Sequence, residues 1–346
     1  MANLLTAHRP GHFTRLGCPK VVFNLVLLTF LAALRGATSY RGAYASICTN
    51  IKDEGTYLLE FILYHRWIGF GKIYVMDYNS RRPLSHLQML MPFIKTGLVE
   101  YHYDADPRHH SILANRPFQD YSQGTAFQRC IDFAHRDHMW MAFIDTDEFL
   151  VLRKYAGDRP NVTAFLQRYE KYPGLAVNMR FFGSSGHVTR PEVGTLEAYT
   201  RCMPSSAWYN RHIKTIARLS QVLAIGGNPH EFRYLHNAVA VNEHGVPIKG
   251  PFSEPVSWDG IALHHYVTRS LAEFVFKMQR GPGGSQNKRS LDWFRAYEGN
   301  ATESCTEGVQ LWRSCCADQY ASMRAALRRR SGSRTRGDIR GTVSGA

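Results

Sequence analysis

The sequence predicts an α/β fold with a largely parallel central sheet. Strand-like and helix-like segments alternate from residue 44 to residue 144, the order that lays helices over parallel strands. The apolar run Met139–Ile144 stops abruptly at Asp145-Thr146-Asp147-Glu148. A buried strand delivers polar groups in this way to the ligand-binding end of an open sheet. At 346 residues, 44% of them hydrophobic, the chain can bury a sizeable core.

Each element has its own signal. Tyr44–Thr49 is rich in small and β-prone residues and reads as the first strand. Tyr57–Ile68 spaces Leu58, Leu59, Ile62, Leu63, His65 and Trp67 as a helix does. Lys72–Met76 is a second strand ending at Asp77, Leu84–Ile94 a second helix, and Leu98–Tyr103 a third strand. Thr125–His135 is a helix, and Trp140–Ile144 the strand that reaches the acidic turn. Beyond residue 150 the alternation loosens into Gly- and Pro-containing loops at 183–194, 226–230 and 245–260, places where a fold shapes binding sites. The segment 280–290 reads as a flexible surface linker.

The formal net charge is +14, and part of it sits in one stretch. Residues 324–340 hold seven arginines against Asp338 alone and are rich in Ser and Gly. This stretch is expected to be a disordered, solvated tail. With no zinc-finger spacing, RNA-binding signature or Walker motif, no specific nucleic-acid partner is expected. At the other end, Arg9, Arg15 and Lys20 precede the apolar run Val21–Leu34. That run is shorter than the roughly 20 residues of a spanning helix and fits a signal peptide or a short signal anchor. Positive charge before it favours a cytoplasmic N-terminus and a lumenal main domain. The expected organisation is therefore 1–42 tail and signal segment, 43–318 main domain, and 319–346 basic tail. The expected location is the Golgi or endoplasmic reticulum membrane (type II), or secretion if 21–34 is cleaved. The sequons at Asn161 and Asn300 agree with a lumenal chain. Cys18 precedes the apolar segment, and the other six cysteines can pair in an oxidising compartment. Cys305 with Cys315 or Cys316 would close a short loop. Cys48 and Cys130 sit in apolar-looking elements and could instead be buried thiols.

The acidic turn carries the chemistry. Two carboxylates at i and i+2 can converge on a hard divalent cation, which prefers oxygen ligands and can also hold phosphate oxygens. A cation so placed neutralises the charge that develops on a departing diphosphate. The pattern points to transfer from a nucleotide-activated donor.

The chain also resembles a known family. Cys48-Thr49-Asn50-Ile51-Lys52-Asp53-Glu54, Leu59-Glu60 through His65, Ile68-Gly69, Tyr74 to Ser80, the Trp140…Asp145-Thr146-Asp147-Glu148-Phe149 block and His264-His265-Tyr266-Val267-Thr268-Arg269-Ser270 follow in order. This set resembles glycosyltransferase family 92, over roughly residues 45–285. The resemblance implies a GT-A, Rossmann-like nucleotide-sugar-binding fold, a divalent metal (usually manganese) and inversion at the anomeric carbon. It also implies a UDP-sugar donor, most often UDP-galactose, and a glycan or glycoprotein acceptor. Arg269 stands where a lysine is usual, and Asp53 where an asparagine is usual.

Roles follow for individual residues. Asp145, Asp147 and His265 are the expected metal ligands, with His264 the alternative to His265 and Glu148 an outer carboxylate or a helix-start residue. Asn50, Lys52, Glu54, Asp77, Asp145 and Lys214 are expected to line the nucleotide pocket, with Arg218 beside Lys214. An inverting transfer needs a base for the acceptor hydroxyl. Asp259, Glu231 and Glu254 are the candidates, with Trp258 placed to stack on a sugar. Competing readings are a catalytically silent carbohydrate-binding protein on the same fold and a nucleotide-sugar hydrolase, which would need a second metal cluster.

Overall fold

The computed structural model describes residues 40–104, 122–281 and 289–338. The predicted apolar segment 21–34 and most of the predicted 280–290 linker lie outside them. Among the described residues, no helix is long and apolar enough to cross a membrane.

In chain order the elements are β1 (Ala45–Ile51), α1 (Gly55–Trp67), β2 (Lys72–Tyr78), α2 (Pro83–Lys95), β3 (Val99–Asp104), α3 (Ser122–Ala134), β4 (Trp140–Phe143), β5 (Glu148–Leu152), α4 (Val162–Leu166), β6 (Gly174–Phe181), α5 (Thr195–Ala198), β7 (Arg201–Cys202), β8 (Ile213–Arg218), β9 (Val222–Ile225), β10 (Phe232–Tyr234), β11 (Ile261–His265), α6 (Leu271–Arg280), α7 (Leu291–Asn300), β12 (Glu303–Ser304), α8 (Glu307–Cys315) and α9 (Ala317–Asp338). Every strand and helix expected before residue 144 is present within a few residues of its expected bounds.

Eight strands form one sheet in the order β3-β2-β1-β4-β8-β6-β11-β5. The 3-2-1-4 half is parallel, as in doubly wound nucleotide-binding folds. The other half is mixed: β8 runs antiparallel to both β4 and β6, β11 parallel to β6, and β5 antiparallel to β11. Side chains alternate between two apolar layers. Ile47, Val75, Trp140 and Ala142 face the layer under α1 and α2, and Cys48, Tyr74, Met141 and Phe143 face the layer under α3. Both faces are therefore covered, which explains why the strands read as near-continuous apolar runs.

The topology positions the site. β4 lies mid-sheet and β5 at the far edge, so the chain leaves one and reaches the other through Asp145–Asp147. Strands β8, β6 and β11 fill the space between. The acidic turn thus faces residues distant in sequence.

Several expectations are corrected. Glu148 begins strand β5 rather than a helix. Cys48 and Cys130 are bonded to each other, tying β1 to α3, so they are not free thiols. Cys305 pairs with Cys202, not with Cys315 or Cys316, because the short β12–β7 pairing carries it there. Cys315 and Cys316 are bonded to each other. Residues 339–346 lie outside the described residues, and among the described ones the expected basic tail is helical from Ala317 to Asp338, as helix α9. Its first turns are rich in good helix formers, and Tyr320 packs edge-on against Trp312 at 5.4 Å while Arg328 pairs with Glu192.

Candidate functional site

The acidic turn opens into a cavity of about 390 Å³. Its hydrogen bonds fold it back on itself. The Asp145 amide donates to Glu148 Oε2 at 2.9 Å and the Glu148 amide to the Asp145 carbonyl at 3.0 Å. The Tyr266 amide donates to the Asp147 carbonyl at 2.9 Å, fixing the turn against the end of β11.

Each carboxylate meets a buried cation. Lys214, on β8, donates to Asp145 Oδ2 at 2.9 Å and lies 3.4 Å from Glu148 Oε2. Gln123 donates to Asp145 Oδ1 at 2.7 Å. Lys277, on α6, donates to Asp147 Oδ2 at 2.6 Å and to the Val267 carbonyl at 2.9 Å. Helix α6 is set by a capping box: Ser270 accepts from the Glu273 amide and Glu273 from the Ser270 amide. Lys277 and Arg280 then fall one turn apart and both line the cavity. Arg280 pairs with Glu54, and Arg269 lies 3.5 Å from Glu54 and donates to the Thr146 carbonyl at 3.1 Å. The Arg269 guanidinium also lies over the Tyr57 ring at 3.4 Å.

These pairings set the charges. Burial alone would raise the Asp147 carboxyl, but Lys277, His265 and Arg269 override it and hold it well below the usual range. Glu148 is pushed up to about 8, chiefly by burial, with Asp145 and Asp147 adding repulsion that Lys214 does not cancel. Burial lowers His265 to about 3 despite the nearby Asp147, so its imidazole is neutral at physiological pH.

A divalent cation fits part of this arrangement. His265 Nε2 faces Asp147 Oδ1 at 3.8 Å, and His265 Nδ1 faces Glu148 Oε1 at 3.8 Å. Glu148 Oε1 and His265 Nδ1 are buried and lack hydrogen-bond partners. Asp147 and His265 therefore present one carboxylate oxygen and one neutral imidazole nitrogen as donors to a divalent cation. Asp145 fits less well, since both its oxygens are engaged by Gln123 and Lys214.

The sequence-predicted residues divide clearly. Asn50, Lys52, Glu54, Asp145, Asp147, Glu148, Lys214 and His265 all line the cavity. Asp77 does not: it is buried at the end of β2, accepting from Tyr101 Oη at 2.6 Å, bonded to His86 at 2.7 Å and capping the Ser80 amide. Its oxygens hold the turn after β2 in this structure. His264 points the other way from His265, against Phe182 and toward Glu307, as neighbours on a strand must. Arg218 donates to the Glu170 carbonyl, away from the cavity lining. None of the three proposed bases lines the cavity. Glu231 accepts from Asn228 at 2.7 Å, Glu254 pairs with Arg211, and Asp259 is exposed, 3.8 Å from His244. Trp258 is buried beneath Arg180 and cannot stack on a ligand.

Sequence reasoning missed Gln123, His212, His230, Lys277, Arg280, Arg289, Trp293 and Tyr297, all on the lining. The Ser270-x-x-Glu273 capping box, followed by Lys277 and Arg280 at helical spacing, was the available signal for two of them. His212 and His230 each direct Nδ1 at a backbone carbonyl, Tyr209 at 2.9 Å and Ile213 at 2.7 Å. Both are held neutral, chiefly by burial, so each keeps Nε2 as an acceptor. Arg289 Nε is buried without a hydrogen-bond partner.

The chain is thus an α/β protein whose β4 end carries an acidic turn set in a cavity lined by cationic side chains. The glycosyltransferase family 92 model matches residues 46–248, and the chain belongs to that family. A family 92 protein of Ricinus communis is 24% identical over 186 residues, covering 50% of this chain and 30% of that protein. One from Oryza sativa is 26% identical over 157 residues, 44% of this chain and 24% of that protein. One from Arabidopsis thaliana is 21% identical over 269 residues, 72% of this chain and 43% of that protein. The chain thus spans less than half the length of these curated relatives. Among solved structures, S. aureus TarS 1–349 is 11% identical with a TM-score of 0.34, covering 77% of this chain and 68% of that one.

Proposed function

We propose that this chain is a metal-dependent, inverting glycosyltransferase that moves a hexose, most commonly galactose in this family, from its UDP-sugar to a glycan acceptor in the lumen of the secretory pathway. The observation that carries the reading is the acidic turn at the end of β4, set in the cavity among Lys214, Lys277, Arg280 and Arg289. Asp147 and His265 would hold the cation, which when bound neutralises charge on the leaving diphosphate. Lys52, Arg280 and Arg289 bring further positive charge to the same lining, where a diphosphate is best stabilised. In the transfer, the acceptor oxygen bonds to the anomeric carbon. The bond from that carbon to the diphosphate breaks, its electron pair staying on the departing oxygen, and the acceptor proton goes to a base. His212 and His230 stand on the lining, where the three carboxylates do not, but burial lowers both and makes each a weak base. The lumenal location is supported by the three disulfides and by the exposure of Asn161 and Asn300.

The test is a panel of UDP-sugars with the purified chain, manganese and a mixture of glycan acceptors, read as UDP release and product mass. One UDP-hexose should be consumed, chelator should stop the reaction, and Asp147→Asn should abolish it. Because that change also breaks the buried pair with Lys277, the variant should melt lower but remain folded at the assay temperature by circular dichroism. Full activity in excess chelator would refute the metal assignment. UDP binding with no turnover of any donor would leave a silent binding protein.

A further inference from the structure

The loops beyond the cavity carry two exposed aromatic rings in contact. Trp208 is 51% exposed and Phe252 40% exposed, with ring centroids 5.4 Å apart. Scattered exposed aromatics need no explanation, but this pair is continuous with the cavity. His212 lies 5.2 Å from Trp208 and 4.7 Å from Phe252. The same imidazole is 5.9 Å from His230 and 6.1 Å from Phe181, which in turn is 4.8 Å from His265. An unbroken run of rings thus leads from the metal-ligand histidine to the surface.

The pair is also held rigidly. Trp208 starts a 3-10 turn over Trp208–Arg211, and Phe252 bridges His212. The buried Asn178 amide lies between the two loops, donating to the Asn210 carbonyl at 3.2 Å and the Ser253 carbonyl at 3.1 Å. Asn210 is itself buried, donating to the Pro204 carbonyl at 2.7 Å and accepting from the Phe181 amide at 3.0 Å. Two buried amides spent on fixing exposed aromatic loops are characteristic of a preorganised contact surface. Beside the rings, Arg211 and Glu254 form an exposed, mutually neutralised ion pair. Apolar faces flanked by paired donors and acceptors match a neutral saccharide, whose C–H face stacks and whose hydroxyls bond at the rim.

We propose that Trp208 and Phe252 form the stacking platform for the acceptor saccharide, with His212 joining it to the donor cavity. The proposal rests on the transferase reading for its biological meaning, and the experiment separates the two. Saturation-transfer NMR on the full chain would use free oligosaccharides ending in β-galactose, β-N-acetylglucosamine, α-mannose or α-fucose, with UDP and manganese titrated separately by calorimetry. At least one saccharide should bind the wild type. Trp208→Ala and Phe252→Ala should each weaken it by at least about tenfold, the size of one good aromatic contact. Phe252→Tyr should keep binding, and UDP affinity should be unchanged in all three variants. Thermal melting of each variant distinguishes loss of the platform from loss of the fold, and the half-exposed positions should leave it unmoved. The proposal is overturned if no saccharide binds the wild type, if the alanine variants bind as the wild type does, or if UDP affinity falls in parallel. Saccharide binding lost in Trp208→Ala, in a chain that does not bind UDP, would uphold the platform and remove the transferase reading.

Discussion

Replacing Lys277 by methionine tests how the acidic turn is held. Its ammonium is buried and makes two bonds, to Asp147 Oδ2 at 2.6 Å and to the Val267 carbonyl at 2.9 Å. Methionine fills similar volume but leaves a buried carboxylate without its cation. Breaking one side of a buried ion pair costs about 3–5 kcal/mol. At roughly 2–4 °C per kcal/mol for a domain of this size, the melting temperature should fall by about 6–20 °C. The cost belongs to the stranded charge, so it should shrink when the charge is removed as well. Lys277→Met with Asp147→Asn should recover at least about 1–2 kcal/mol relative to Lys277→Met alone. The assay is a double-mutant cycle by urea unfolding, with Lys277→Arg as a charge-keeping control. Manganese should raise the melting temperature of Lys277→Met more than that of the wild type, because the cation then replaces a missing positive charge. A Lys277→Met protein that melts with the wild type, or a double variant no more stable than the single, would refute the pairing as an energetic element.

Three further outcomes are expected. His265→Ala should weaken manganese and UDP binding together by calorimetry. His264→Ala should leave both intact and lower stability, because His264 packs on Phe182 and faces Glu307 away from the cavity. Glu60→Ala should cost about 2–6 kcal/mol in urea unfolding, since its carboxyl accepts from the buried Thr195 and Leu196 amides at 2.7 and 2.9 Å and each buried amide left unsatisfied costs about 1–3 kcal/mol; a loss under 1 kcal/mol would contradict this. His65 is buried neutral, its Nδ1 bonded to the Phe61 carbonyl and Nε2 facing the Leu150 amide, and burial lowers its pKa to about 3. The unfolded chain then binds the extra proton first, so stability is full above about pH 6.5 and falls by up to about 1.4 kcal/mol per pH unit between there and pH 3; His65→Gln should flatten that part of the curve, and an unchanged slope would mean that His65 does not titrate on unfolding.

What the sequence displayed and what it hid follow from chain geometry. The parallel half was legible because each strand is a local apolar run closed by a polar turn, and the helices between them show their own spacing. The acidic turn was legible for the same reason: Asp145 and Asp147 are neighbours. Lys277 was not, because it meets Asp147 across 130 residues. That meeting depends on β11 pairing with β5, where His265 stands opposite Glu148. Spacing along a chain carries no trace of such a register. The same register separates His264 from His265, since adjacent residues on a strand face opposite sides, and that distinction could be stated from sequence only as a choice between them. Asp77 shows the converse. It sits where a nucleotide-binding carboxylate belongs, at the end of β2, and its position in the chain fits either role. Tyr101 and His86, one strand and one helix away, hold its Oδ2 in this structure. The three candidate bases lie off the cavity lining on the same principle. Glu231, Glu254 and Asp259 were chosen for lying in loops after the acidic turn, but a loop's address depends on which strands it joins. His212 and His230 reach the cavity because β8 lies beside β4, and the hairpin of β9 and β10 folds His230 back to donate to the Ile213 carbonyl. The residues that sequence placed best are those whose partners are near in the chain; those it missed reach the site through strand pairings that only the folded sheet supplies.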